Sequence, residues 1–86
     1  MAKRQIILYI DPTDGISILA KNHLESATHM YQPDINISII SILDIKKKFL
    51  IKTPTLIFKV DNKIVYKITR LFNYQDVIEI LKNLVN

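Results

Sequence analysis

The first half of the chain switches between two hydrophobic spacings, one typical of a strand and one typical of a helix. Gln5–Ile10 is almost continuously apolar, as expected for a central strand covered on both faces. From Ile16 the apolar residues recur at helical spacing, and Asp14 or Thr13 can cap this helix. The positions expected to face inward are Ile16, Leu19, Ala20, Leu24, Ala27, Met30 and Tyr31.

A second segment rich in β-branched residues follows the helix. Gln32–Asp34 contains a proline and is expected to end the helix, and the isoleucines over Ile35–Leu43 predict a strand. A strand, a helix and a strand in this order predict a right-handed crossover between parallel strands. Asp44 is then expected to cap a short helical turn over Ile45–Leu50.

The next residues predict a β-hairpin. Thr53–Val60 and Lys63–Ile68 are rich in β-branched and aromatic residues, as strands usually are. Between them lie Asp61 and Asn62, and both residue types tolerate the positive φ angles of a tight primed turn. We therefore expect two antiparallel strands joined by a two-residue turn.

The second hairpin strand and the last helix each have a predicted apolar side. Lys63 and Lys67 are expected to point outward, where lysines commonly protect a sheet edge. The inward positions of this strand are expected to be Ile64, Tyr66 and Ile68. Asn73 is expected to cap the last helix, with Asp76 at the capping-box position. The apolar stripe of this helix is Val77, Ile80, Leu81 and Leu84.

Composition narrows the class of protein. The chain has 86 residues, which fits one domain spanning residues 1–86. It has no cysteine, which excludes disulfides, thiolate metal sites and thiol redox chemistry. No apolar run is long enough to cross a bilayer, so we expect a cytoplasmic protein with no membrane partner. The net charge of +4 fits an acidic partner.

The segment Lys52–Val65, with Thr53-Pro54-Thr55-Leu56 at the start of the third strand, resembles the thioredoxin-like superfamily. The resemblance implies an α/β fold of order βαβ(α)ββα, with a mixed four-stranded sheet and helices on its faces. It also implies a cis-proline at Pro54 and an active-site loop over residues 12–17. In the shorter, glutaredoxin-like members the two redox cysteines fall on Asp14 and Ser17.

The resemblance also implies where a partner would bind and which chemistry is absent. Thiol–disulfide exchange needs a thiolate, which neither a carboxylate nor a hydroxyl can replace, so we expect no enzymatic activity and no cofactor. A non-redox module that binds or regulates another protein is the function implied. Its binding groove would comprise Pro12, Thr13, Asp14, Gly15, Ser17, Thr53, Pro54 and Arg70. An arginine beside the proline loop would change the charge of that groove.

A narrower resemblance is to cyanobacterial clock proteins of the KaiB type and to the sensor domain of the clock kinase SasA. These are thioredoxin-like domains of about this size that lack the redox pair. The residues that carry this resemblance are Leu8-Tyr9-Ile10 in the first strand and Thr53-Pro54-Thr55-Leu56. It implies a regulatory role in a clock or in signalling.

Other residue groups suggest different functions. The densest basic segment is a possible nucleic-acid patch, although a solvated helical face would have the same composition. It comprises Lys46, Lys47, Lys48 and Lys52. His23 and His29 are six positions apart, about 240° around a helix, so they cannot share a metal, and no metal site is expected. Asp11 and Asp14 flank the loop but have no identifiable nucleophile or base beside them.

Overall fold

The structure is a computed structural model that describes residues 3–31, 35–45 and 52–85. Within these ranges, neither helix is both long and apolar enough to span a membrane. The elements follow the predicted order. They are β1 (Arg4–Ile10), α1 (Gly15–Tyr31), β2 (Asn36–Ser41), a 3₁₀ turn (Ile42–Asp44), β3 (Thr55–Val60), β4 (Lys63–Ile68) and α2 (Tyr74–Val85).

The four strands form one mixed sheet in the order β2-β1-β3-β4. β1 pairs with β2 in parallel and with β3 in antiparallel orientation, and β3 and β4 form the hairpin. A parallel pair needs a long crossover, which α1 supplies, whereas an antiparallel pair can be joined by a tight turn. The predicted α/β class and the mixed four-stranded sheet are confirmed.

One face of the sheet carries the hydrophobic core. Alternate residues of β1 are buried on this face, and they meet Leu56 and Phe58 of β3. Both helices contribute to the same cluster, so both cover the same face. Ile7 and Tyr9 of β1 point to the other face and are only half-buried. The described helices therefore cover one face of β1, where the sequence predicted cover on both. The buried residues of β1 and the helices are Ile6, Leu8, Ile10, Ala20, Leu24, Ala27, Val77, Ile80 and Leu81.

The prediction for the buried side of α1 is wrong at three positions. Ile16, Leu19 and Met30 are 52%, 44% and 69% exposed. The buried stripe instead begins at Ser17, a polar residue, and continues through Ala20, Leu24 and Ala27. Three of these four side chains are small, which allows α1 to pack closely in the core, and the larger apolar side chains beside the stripe stay at the surface. The side chain of Tyr31 lies outside the described residues.

The end of β2 also differs from the prediction. The strand ends at Ser41, and the Ser41 Oγ accepts a hydrogen bond of 3.2 Å from the Leu43 N–H. This bond caps the 3₁₀ turn over Ile42–Asp44, which the sequence did not predict. Ile45 has extended backbone angles, so the predicted helical turn does not begin there. Residues 46–50 of that predicted turn lie outside the described residues.

A β-bulge changes the alternation along β4. The register between β3 and β4 shifts between Phe58 and Lys59, so Tyr66 lies opposite Phe58 whereas Ile64 lies opposite Lys59. Phe58 and Lys59 point to opposite faces, and Ile64 therefore leaves the core side on which it was predicted. Tyr66 makes an edge-to-face contact with Phe58 at a centroid distance of 6.3 Å but remains half-exposed. Of the three predicted inward residues, only Ile68 is buried.

The hairpin turn has the predicted conformation and also binds the start of the chain. Asp61 and Asn62 have φ angles of 52° and 68°, as a two-residue primed turn requires. The Lys3 N–H donates to Asp61 Oδ1 at 2.8 Å, and the Asp61 N–H donates to the Lys3 carbonyl at 2.8 Å. The turn is therefore fixed against the residue that precedes β1.

Candidate functional site

Three connecting segments meet at one end of the sheet. β3 runs antiparallel to both β1 and β4, so the end of β1, the start of β3 and the end of β4 lie at the same end of the molecule. The register is set by Tyr9 opposite Thr55 and by Leu56 opposite Ile68. Both helices begin there as well, because each follows one of these strands directly.

Extending the strand registers locates the proline loop between the other two segments. β3 lies between β1 and β4, so the residues just before β3 are flanked by those just after β1 and those just after β4. We call this region the strand-end site. It is defined by the predicted groove residues Pro12, Thr13, Asp14, Gly15, Ser17, Thr53, Pro54 and Arg70.

The loop between β1 and α1 is held by its own side chains. Asp11 Oδ1 accepts hydrogen bonds from the Thr13 N–H at 2.9 Å and from the Thr13 hydroxyl at 2.6 Å. Asp14 Oδ1 accepts from the Ile16 N–H at 3.2 Å, and the Asp14 carbonyl accepts from the Ile18 N–H. Asp14 is therefore the N-cap of α1, as predicted, and it satisfies an N–H group that the helix itself leaves without a partner.

Ser17 connects the helix to the strand. Its side chain is fully buried, and its Oγ accepts a hydrogen bond of 3.1 Å from the Asp11 N–H. Asp14 and Ser17 are the positions on which the resemblance locates the two redox cysteines. Here the first is a capping carboxylate and the second a buried hydroxyl, and the hydrogen bonds of both shape the loop.

The accessible surface of this loop consists of Pro12, Thr13 and Gly15, which are all exposed. Gly15 is the first residue of α1, and its φ angle is not positive. A Cβ atom at Gly15 would meet no atom within 4 Å. Neither the local backbone nor the packing requires glycine here, so a side chain can be introduced at this position beside the strand-end loops.

The proline loop is partly buried. The Thr53–Pro54 peptide bond is cis. Pro54 is buried, Thr53 is half-buried and Lys52 is exposed. The Thr55 hydroxyl donates to the Lys52 carbonyl at 2.6 Å, which fixes the loop at the start of β3. A partner at this loop would contact Thr53 and Lys52 rather than the ring of Pro54.

Arg70 is directed toward the start of α2. Its Nη1 donates to the Leu71 carbonyl at 2.8 Å and lies 4.0 Å from Asp76 Oδ2, while its side chain remains 70% exposed. The Asp76 Oδ2 also accepts from the Asn73 N–H at 3.1 Å, and Asn73 Oδ1 accepts from the Asp76 N–H at 2.9 Å. The predicted capping box is confirmed. The influence of Arg70 on the charge of the groove stays a prediction.

Exposed apolar side chains at this end of the sheet were not predicted from the sequence. Ile16, Leu71 and Tyr74 are exposed, and each lies within a few residues of a strand-end loop. Ile16 directly follows Gly15, and the other two flank the cap of α2. Apolar residues next to helix caps are common, so the sequence did contain a signal for these exposed side chains. Ile16, however, was predicted to be buried in the core.

The other candidate groups are the basic segment and the two histidines. Lys46, Lys47 and Lys48 lie outside the described residues, whereas Lys52 is exposed next to the proline loop. His23 is half-buried on α1, and His29 is exposed near the end of that helix. Within residues 3–31, 35–45 and 52–85, no three His, Asp or Glu side chains come together as a metal site would require.

Several of the solved structures that are similar to this chain are thioredoxins. Thioredoxin-2 of a malaria parasite superposes with a TM-score of 0.84 at 12% identity, over 95% of this chain and 84% of that one. The germline-specific thioredoxin Deadhead of Drosophila melanogaster gives 0.77 at 12% identity, over 95% and 81%. Thioredoxin 1 of Thermosipho africanus gives 0.74 at 15% identity, over 94% and 93%.

By sequence, no protein-family model matches the chain, and no curated protein matches it significantly. The structural likeness shows that the chain has a thioredoxin-like fold, and its sequence has no cysteine. The fold expected from the resemblance is confirmed.

Proposed function

We propose that this cysteine-free thioredoxin-fold chain is a non-redox module that binds an extended segment of a protein partner at the strand-end site. The observation that carries the proposal is the pair Asp14 and Ser17. Both are bonded into the loop, the first as the cap of α1 and the second as the acceptor for the Asp11 N–H. The shape of the loop is thus maintained by groups that cannot perform thiol exchange.

The surroundings indicate what kind of segment would fit. β3 begins just after Thr53, so an extended peptide can align beside this residue in the manner of strand addition. Ile16, Leu71 and Tyr74 offer exposed apolar contacts at the same end. The partner is therefore a segment with apolar side chains, and Asp14 and Arg70 set its charge preference.

A peptide-display selection followed by NMR mapping tests this function. Random peptides are selected against the whole chain, and the enriched peptide is titrated into isotope-labelled protein. We expect extended, apolar peptides whose binding shifts the amide signals of Thr13, Gly15 and Thr53. Shifts confined to another surface would contradict the proposal.

A bulky side chain at Gly15 provides a sharper version of this test. A Cβ at this position meets open space, so Gly15→Trp should fold normally and obstruct the site. The affinity for the selected peptide should fall by at least about tenfold, or 1.4 kcal/mol. Asn22→Trp, on an exposed position further along α1, is the matched control and should bind as tightly as the wild type.

Charge variants distinguish the strand-end site from a basic patch. Arg70→Glu should weaken peptide binding by at least about 1 kcal/mol, the usual threshold for an interface residue that matters. Changing Lys46, Lys47 and Lys48 to Gln should do less and should matter mainly at low salt. If the lysine variant abolishes binding and Arg70→Glu does not, the basic segment is the site. Loss of a complex on nuclease treatment would then identify a nucleic-acid partner.

The absence of enzymatic activity is tested with a disulfide substrate. The chain should not reduce insulin above background in the presence of a reductant and glutathione, because it has no thiol to form a mixed disulfide. Turnover that is proportional to protein concentration and persists through a second purification step would refute a non-redox role.

A regulator of the KaiB type is the second candidate. The residues that favour it are Leu8-Tyr9-Ile10 and Thr53-Pro54-Thr55-Leu56, which lie in β1 and at the start of β3. This candidate shares the binding role and differs in the partner. Titration with a folded clock protein would separate the two, because a KaiB-type regulator should bind it and should show little affinity for the selected peptides.

A further inference from the structure

The two edges of the sheet have opposite character. β4 carries Lys63 and Lys67, and its pairing with β3 is interrupted by the bulge. β2 reads Asn-Ile-Ser-Ile-Ile-Ser and pairs with β1 through six consecutive residues without a register shift. It contains no charged residue and no proline. Among the described residues, no strand lies beyond β2, and its first three residues are exposed.

This difference bears on association because edge strands are natural pairing sites. Proteins commonly protect an edge with lysine, proline or a bulge. β4 has two of these devices, and the described part of the β2 edge has none. A short segment with high β-propensity and no charge is the type of strand that pairs readily with another strand.

We propose that β2 pairs antiparallel with β2 of a second copy of this chain, which joins the two sheets into one of eight strands. A two-fold axis perpendicular to the sheet keeps the helices of both copies on one face. Opposite residues share a face in this arrangement. We centre the register on Ser38 because this choice pairs two isoleucines that lie on the core side of β2. In this register Ile37 lies opposite Ile39 of the second copy, and the reverse pair forms by symmetry.

The chemistry of β2 favours a second copy over a foreign strand. Ile37 is 40% exposed and Ile39 packs against the core, so their pairing extends the core across the joint. Self-pairing brings no like charges together, since β2 has none. β2 also has no charged group that would select a charged foreign strand.

The lysines of β4 do not oppose this dimer. The lysines of β4 are on the far edge, and seven strand spacings of about 4.8 Å separate the two β4 strands, or about 34 Å. Ionic screening at physiological salt extends about 8 Å, so these lysines do not repel one another appreciably. The strand-end site stays accessible because it lies at the strand ends rather than along the lateral edge.

Sedimentation equilibrium with charge variants at the axis tests the dimer. The wild-type chain of 10.0 kDa should approach twice this mass as its concentration rises. Ser38→Lys puts two lysines opposite each other and should raise the dissociation constant at least about tenfold, as should Ser38→Glu. An equimolar mixture of these two variants should restore the dimer. Val65→Lys, on an exposed position of β4, should leave the constant unchanged.

A single introduced cysteine provides an independent measurement, because the chain has none of its own. Opposite Cα atoms of antiparallel strands are about 4.5 or 5.5 Å apart, within the range of a disulfide. Ser38→Cys should therefore form a covalent dimer on mild oxidation, whereas Val65→Cys should not. The proposal is overturned if the wild type stays monomeric at all concentrations. It is also overturned if Ser38→Lys dimerises as tightly as the wild type, if the charge mixture fails to dimerise, or if Val65→Cys cross-links equally well.

Discussion

The two helices begin at the same end of the sheet, but different contacts hold them there. α1 is capped by Asp14 and is also connected to the sheet, because the buried Ser17 binds the Asp11 N–H. α2 begins with a reciprocal pair between Asn73 and Asp76, and these groups are close in sequence and near the surface. A change at Ser17 therefore alters a contact between α1 and the end of β1, whereas a change at Asn73 or Asp76 alters contacts within the first turn of α2 and beside Arg70.

The largest effect is expected from Ser17→Ala. The change removes the acceptor of a part-buried N–H at Asp11, and an unsatisfied group of this kind costs about 1–3 kcal/mol. We expect the free energy of unfolding to fall by about 2 kcal/mol in urea denaturation. Ser26→Ala, on the exposed side of the same helix, should change it by less than about 0.5 kcal/mol. Equal effects of Ser17→Ala and Ser26→Ala would show that the bond between Ser17 and Asp11 does not stabilise the start of α1.

At the start of α2, Asn73→Ala and Asp76→Ala should each cost about 1 kcal/mol, as the loss of a cap usually does. The two bonds belong to one reciprocal pair, so the double variant should cost less than the sum of the single changes. Thermal or urea unfolding of the four chains measures this coupling energy. Strict additivity would show that the two bonds act independently.

Gly15→Ala should stabilise the protein by about 0.5 kcal/mol. The added Cβ meets no atom within 4 Å, the φ angle is not positive, and alanine reduces the conformational entropy of the unfolded chain. The melting temperature should therefore rise slightly. A decrease would indicate that the start of α1 needs glycine for a reason other than its observed backbone conformation.

The smallest effect on stability is expected from Asp14→Asn. Asparagine caps helices about as well as aspartate, so the free energy of unfolding should change by less than about 0.5 kcal/mol. The charge of the strand-end site changes nevertheless, so the affinity for a selected peptide should depend on the charge of that peptide. If stability falls markedly while binding is unaffected, Asp14 has only a structural role.

Local signals explain why much of the fold was predictable. The primed turn depends on Asp61 and Asn62 themselves, and the capping box depends on two residues three positions apart. Asp14 as the cap of α1 is likewise a property of a few neighbouring residues. Interactions between residues a few positions apart can be inferred from the local sequence.

Tertiary interactions account for what was missed. Ser17 is buried where its hydroxyl accepts from the Asp11 N–H at the end of β1, and hydrophobicity alone favours Ile16 over it. The bulge that turns Ile64 away is a feature of strand pairing. Arg70 was predicted beside the groove, and its bonds to the start of α2 depend on how that helix begins. These features depend on contacts between different elements, so they are seen only in the folded structure.

The central position of β1 has a consequence for how the chain folds during synthesis. β1 is synthesised before β3. The hairpin turn binds Lys3, the residue just before β1, but Asp61 in that turn lies 58 positions after Lys3. The apolar face of β1 therefore waits for Leu56 and Phe58 to emerge from the ribosome before it can be covered. Such distant pairings slow folding relative to helical bundles of similar size. The core face of β1 is thus completed only when the hairpin has formed.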